Sequence, residues 1–126
     1  MSVDQSGANG AVDLEAKLAL FEEAWSPKIV ASYNDSDVMV AKFRGEFPHH
    51  VHEDTDDFFL VLKGRVRLDL EGRDPVHLEP GQLFVVPKGV RHRPVALDDE
   101  AHVLLIEPKG TPNSGDPATA AVKTHI

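Results

Sequence analysis

After Pro27 the chain is broken every few residues by Gly, Pro, Asn or Asp, and the runs between the breaks are short and rich in Val, Ile, Leu and Phe. This texture constrains the fold more than any other feature. Candidate strands are Lys28 to Tyr33, Asp37 to Phe43, Gly45 to His50, Asp57 to Leu62, Arg65 to Leu70, Val76 to Leu78, Gln82 to Val86, Arg91 to Ala96 and His102 to Glu107. In Arg65-Val66-Arg67-Leu68-Asp69-Leu70 strict alternation gives one apolar and one charged face, which is the signature of a strand half-buried against a core. Parallel crossovers need intervening helices, and none are visible between these runs. The chain is therefore predicted to be all-β, built as a sandwich or barrel of antiparallel strands, with the jelly roll among the options.

The flanks differ from this middle. The first 11 residues carry Ser, Gly, Asn and Asp with almost nothing to bury, and a disordered N-terminus is expected over 1–11. Leu14, Leu18, Phe21 and Trp25 recur at spacings of four, three and four, which predicts an amphipathic helix over 12–27, stopped by Ser26-Pro27 and lying on the barrel or on a neighbouring subunit. The barrel is expected over 28–110. The Pro-, Gly-, Ser- and Ala-rich stretch 111–126 is expected to be an extended or disordered tail.

A chain of 126 residues is the size of one domain, and 41% apolar residues suffice for one core. The net charge of −8 leaves no basic footprint for phosphates, which argues against a nucleic-acid partner. No apolar run approaches the roughly 20 residues that span a bilayer, and residues 1–10 do not resemble a signal peptide, so no membrane partner and a cytoplasmic location are expected. With no cysteine in the chain, any metal must be held by imidazole and carboxylate.

Pro48-His49-His50-Val51-His52 holds three of the seven histidines. Side chains two apart in a strand share a face, so His50 and His52 can both point inward while His49 turns out. Asp57 opens the apolar run Phe58 to Leu62, where a carboxylate is costly unless paired, protonated or bound to a cation. His92 follows the turn Pro87-Lys88-Gly89 and starts another strand.

Together these residues resemble a known family. Gly45, His50-x-His52, Asp57 and Gly64 are similar to the first cupin motif, and Gly81, Pro87-x-Gly89 and His92 to the second, in the right order and over roughly residues 38 to 108. Trp25-Ser26-Pro27-Lys28 and Phe84 to Val90 are similar to small bacterial one-domain cupins of unassigned activity, often labelled after mannose-6-phosphate isomerase. The resemblance implies a single cupin jelly-roll barrel with the helix appended. It also implies one metal held inside the barrel by His50, His52, Asp57 and His92. Two departures stand out: the usual Glu is Asp57, one methylene shorter, and the Asn that usually closes the second motif falls at Ala96.

Three imidazoles and one carboxylate suit a divalent transition metal, namely Fe, Mn, Ni or Zn, and the lack of a multi-carboxylate cage argues against Ca and Mg. Phe59 shares the face of Asp57 and is expected to wall the pocket, with Ala96 and His102 as further pocket candidates. Glu53, Asp54 and Asp56 read as a solvated acidic turn, His77 and His125 as surface groups, and Lys88 and Arg91 as exposed turn charges. Two functional classes are expected. One is a metal-dependent oxygenase or isomerase acting on a small oxygenated molecule; the other is a non-catalytic ligand-binding or sensing module with a structural metal. The helix stripe and the sheet edges predict a homodimer.

Overall fold

A computed structural model describes residues 10–126 of the chain. The disorder expected over 1–11 falls largely outside that range; Gly10 and Ala11, which are described, are exposed.

Leu14–Leu18 form a short helix, α1, whose start is capped by Asp13 through its Oδ1, an acceptor for the Ala16 N–H at 3.2 Å. The helix expected over 12–27 thus ends after little more than one turn. Beyond it the sheet captures the chain: the Phe21 carbonyl accepts from Lys42 Nζ at 2.6 Å and the Trp25 N–H donates to the Lys42 carbonyl at 2.8 Å. Trp25 itself turns the backbone at φ 59°. The apolar stripe is split as a result. Leu18 and Phe21 pack on Val40, whereas Trp25 stacks on Phe43, on the opposite face of the same strand. Burial of each such side chain stabilises by roughly 2 kcal/mol, which outweighs the few tenths by which helix propensities differ.

The strands are β1 (Lys28–Tyr33), β2 (Ser36–Phe43), β3 (Asp57–Lys63), β4 (Val66–Leu70), β5 (Val76–Leu78), β6 (Leu83–Val86), β7 (His92–Ala96), β8 (Ala101–Pro108) and β9 (Thr124–His125). They form a six-stranded sheet in the order β6-β3-β8-β2-β1-β9 and a three-stranded sheet in the order β5-β4-β7. Met39, Phe59 and Val103 from the large sheet meet Val66, Leu68 and Leu78 from the small one in a single core. The two sheets are not closed into one hydrogen-bonded cylinder, so the expected barrel is a two-sheet jelly roll. Period-two burial runs through it. On β8 the inward row is Ala101, Val103, Leu105 and Glu107; on β3 it is Asp57, Phe59 and Val61. Gly64, at φ 75°, turns the chain from β3 to β4 where a Cβ would lie 2.7 Å from the Glu100 carbonyl oxygen, so the turn requires glycine.

The strand expected over Gly45 to His50 is an irregular ribbon along β7. It is joined by the bridges Glu46 to Val95 and His50 to His92, and by the Phe47 N–H donating to the Pro94 carbonyl at 3.1 Å. Pro48 has no N–H, which prevents a continuous ladder. Residues 111–126 are tied to the body at several points. The Asn113 amide reaches the Trp25 carbonyl at 3.4 Å and accepts from the Ala121 N–H at 2.9 Å, Lys123 pairs with Glu107, and β9 runs parallel to β1.

Candidate metal centre

Backbone pairing assembles the site. His50 and His92 face each other across two reciprocal N–H to carbonyl bonds of 2.8 Å each, which brings their rings to 4.5 Å between centroids. The His52 carbonyl accepts from the Gly89 N–H at 2.8 Å, with Gly89 at φ 81°, so the Pro87-Lys88-Gly89 turn clasps the His52 segment. Asp57 pairs with Val86 immediately before the same turn. The two sequence motifs are therefore held to each other by main chain, whatever their side chains do.

His50, His52, Asp57 and His92 are all buried, and one donor atom from each lies within 4.8 Å of every other. Asp57 Oδ2 stands 2.7 Å from His92 Nε2, 3.4 Å from His52 Nε2 and 3.8 Å from His50 Nε2. Ligands about 2.1 Å from one metal lie roughly 3 to 3.4 Å from their neighbours, so this spacing suits a single small cation. The missing methylene of Asp57 does not keep its carboxylate out of the cluster.

The outer hydrogen bonds fix which nitrogens face inward. His50 Nδ1–H donates to the Pro48 carbonyl at 3.0 Å and His92 Nδ1–H to the Val90 carbonyl at 2.8 Å. A carbonyl oxygen only accepts, so in the neutral rings both Nε2 lone pairs point at the Asp57 carboxylate. His52 Nε2 is the one buried side-chain polar atom among the described residues with no hydrogen-bond partner. Acceptors crowded on one point repel unless a cation, either a proton or a metal ion, sits between them. The donor set fits a divalent transition metal.

The local field agrees with this arrangement. Burial pushes the Asp57 carboxyl up, but with protons on the inward nitrogens in the cation's place the three imidazoles donate to it, outweigh burial and hold it well below the ordinary carboxylate range. For His52 burial pulls the imidazole down, and the neighbouring Asp57 and Glu107 carboxylates more than reverse this, so its net shift is upward. The pocket attracts positive charge.

A cavity of about 340 Å³, its open mouth included, reaches the cluster at His50 and Asp57. Phe59 lines it and stands edge-on to His92. Ala96 and His102 do not. Ala96 is buried in the core and pairs with Val66 along the small sheet, whereas His102 lies on the outward parity of β8 and bonds Glu100 at 2.6 Å. His49, Glu53, Asp54, His77, Lys88, Arg91 and His125 are exposed, and Asp56, also exposed, accepts from the Lys88 N–H at 2.9 Å to brace the turn.

Glu107 is a functional candidate that the sequence reading did not single out. It is 3% exposed, lines the same cavity and pairs with Lys123 Nζ at 2.9 Å. Burial, and secondly the charge of Asp57, push its carboxyl up. The signal was its parity: Glu107 follows Val103 and Leu105 on the inward face of the last long strand.

Comparison with known proteins agrees with this architecture. Residues 37–107 match the cupin domain model, more than half of the chain. The uncharacterized protein YdbB of Bacillus subtilis (strain 168) is 34% identical over 64 residues, 51% of this chain and 57% of that protein. The matched region thus spans little more than half of that relative's length. A crystal structure of a cupin-2 domain containing protein from Shewanella frigidimarina superposes with a TM-score of 0.74 at 36% identity, covering 78% of this chain and 94% of the other. Hydroquinone 1,2-dioxygenase from Sphingomonas sp. TTNP3 superposes with a TM-score of 0.70 over 93% of this chain and 36% of its own, at 19% identity, and so shares the fold alone. With both motifs, the two-sheet core and the clustered donors in place, the chain belongs to the cupin-domain family.

Proposed function

We propose that this cupin holds one divalent transition metal, Fe, Mn, Ni or Zn, on His50, His52, Asp57 and His92, and uses it to act on a small oxygenated molecule as an oxygenase or isomerase. The observation that carries this reading is the buried cluster of convergent donor atoms, in which His52 Nε2 has no hydrogen-bond partner and lies 3.4 Å from Asp57 Oδ2. Such a cluster costs stability that a purely structural core would avoid. Four protein ligands leave one or two positions of a five- or six-coordinate ion for water or substrate, and the adjoining cavity gives access to that side. A bound metal would polarise an oxygen presented to it. The Pro48 and Val90 carbonyls orient His50 and His92, and Phe59 excludes water from one wall. The dioxygenase that shares the fold supports the oxygenase reading by architecture only.

The second reading is a sensing or ligand-binding module with a structural metal. It is favoured by the tail residue Asn113, which lines the cavity and is tied to the Trp25 carbonyl at 3.4 Å. Incubating the metal-loaded chain with a panel of small phenols, hydroxy acids and sugars separates the two readings. Consumption of a compound by the native chain, and none by His52→Ala, supports catalysis. Full turnover by metal-free protein would sink it, and ligand-dependent stabilisation without product favours the module.

We also propose that the chain works as a cytoplasmic homodimer. No helix among the described residues is long and apolar enough to cross a membrane. The helix stripe expected to meet a partner is used internally, but edge strand β6 exposes Leu83 and Val85 beside half-buried Phe58 and Leu60 of β3. Light scattering at twice the chain mass supports this, and a monomer rejects it.

A further inference from the structure

The cavity beside the metal ligands has an uneven lining. The indole of Trp25 is stacked on Phe43 at 4.5 Å and 22°, Phe47 lies 4.9 Å from Trp25, and Phe59 stands edge-on to Phe43 at 6.3 Å. An aromatic wall therefore continues to Phe59, whose ring centroid is 6.1 Å from that of His92. Apart from His50 and Asp57, the ionisable or amide groups that line the cavity are Glu107 and Asn113. Both ends of the Asn113 amide are already occupied, by the Trp25 carbonyl and the Ala121 N–H. One Glu107 oxygen accepts from Lys123 Nζ at 2.9 Å, and Lys123 also donates to the Thr111 carbonyl. The other Glu107 oxygen has accepting capacity left. No Lys or Arg lines the cavity.

We propose that the ligand of this site is a small single-ring phenol. Its ring lies along Trp25, Phe47 and Phe59, its phenolic oxygen turns toward the metal, and any second ring hydroxyl donates to Glu107. This rests on the metal reading above and narrows it. Ring-on-ring contact adds roughly 0.5 to 1.5 kcal/mol beyond burial of the same area, and this wall supplies it. A monosaccharide would bring a ring of hydroxyls to a cavity with one free acceptor, and each buried polar group left unpaired costs about 1 to 3 kcal/mol. A phosphate ester would meet no cationic side chain.

The test uses the full chain loaded with zinc, which has no redox chemistry and so leaves an oxidisable probe intact. Its readout is the emission of Trp25, the single tryptophan of the chain. Zinc content is measured on each sample before and after titration. Catechol and phenol should each shift the emission saturably, catechol at lower concentration, while mannose and inorganic phosphate leave it unchanged. Phe47→Ala, at a half-buried position, should weaken catechol binding about tenfold with zinc content unaltered. Glu107→Gln should remove most of the advantage of catechol over phenol. Zinc retained, with mannose or phosphate shifting the emission and the phenols without effect, would overturn the phenol assignment. An undiminished catechol response in metal-free protein would overturn the placing of its oxygen on the metal. Failure to load zinc at all would instead remove the metal reading, and this inference with it.

Discussion

His92→Ala is expected to lower the affinity for Fe, Mn, Ni or Zn ions by on the order of 100-fold or more. Losing even an outer-shell partner of a metal ligand costs roughly 10- to 100-fold, and His92 is proposed as a ligand itself. It is 1% exposed, its Nδ1 is pinned to the Val90 carbonyl, and its Nε2 is 2.7 Å from Asp57 Oδ2. The consequence reaches stability through linkage. Metal present at about a thousand times its dissociation constant stabilises the folded chain by about 4 kcal/mol, and the variant forfeits most of that. Thermal unfolding with and without metal checks it: the native chain shifts upward on metal addition by about three times as much as the variant does. Equal shifts in the two would mean that His92 is no ligand.

Lys123→Met is expected to destabilise the fold by about 3 kcal/mol at neutral pH, because removing one partner of a buried ion pair strands the other charge. The side chains of Lys123 and Glu107 are only 11% and 4% exposed. Even with Lys123 present, burial and the Asp57 charge hold the Glu107 carboxyl above its ordinary value of 4.5, and without Lys123 it moves further up. A carboxyl whose folded pKa exceeds its unfolded one binds more protons when folded. Its penalty is therefore full above the folded pKa and fades as pH falls through that value toward the unfolded one. The gap between native chain and variant, measured by urea unfolding, should accordingly be widest near roughly pH 8 and shrink near roughly pH 5. Lys123→Met combined with Glu107→Gln should recover much of the loss. A gap that does not change with pH would assign the effect to tail packing and not to charge.

These expectations depend on residues that the sequence revealed unequally. His50 and His52 are legible from their two-residue spacing, although they sit in a ribbon that Pro48 keeps from being a regular strand. What holds His50 in place is its pairing with His92, a contact that only the two motifs taken together imply. Asp57 is legible as a carboxylate at the head of a buried strand, but whether its shorter side chain reaches the cluster depends on backbone register. Pairing with Val86 settles that register. Glu107 was hidden because its partner, Lys123, lies 16 residues further along a stretch whose composition suggests disorder.

The N-terminal segment shows the opposite error. Leu14, Leu18, Phe21 and Trp25 have helical spacing, yet the chain straightens after α1 because Lys42 binds both the Phe21 and Trp25 backbones. That change carries Trp25 away from the stripe and into the wall of the cavity. Local periodicity cannot report such a rearrangement, since it is decided by long-range partners. Ala96 and His102 lie away from this cavity for a related reason. Position in a motif put Ala96 near the pocket, but it lies four residues along β7 from His92, and the parity of β8 turns His102 outward while it turns Glu107 in.

The most direct test of the account is the metal-to-chain ratio of protein purified without a histidine tag, loaded with Fe, Mn, Ni or Zn ions and dialysed to equilibrium, then read by elemental analysis. The four convergent donors predict about one ion per chain, falling to near zero in His52→Ala. A ratio near zero in the native chain at saturating metal, or an unchanged ratio in the variant, would contradict the metal site.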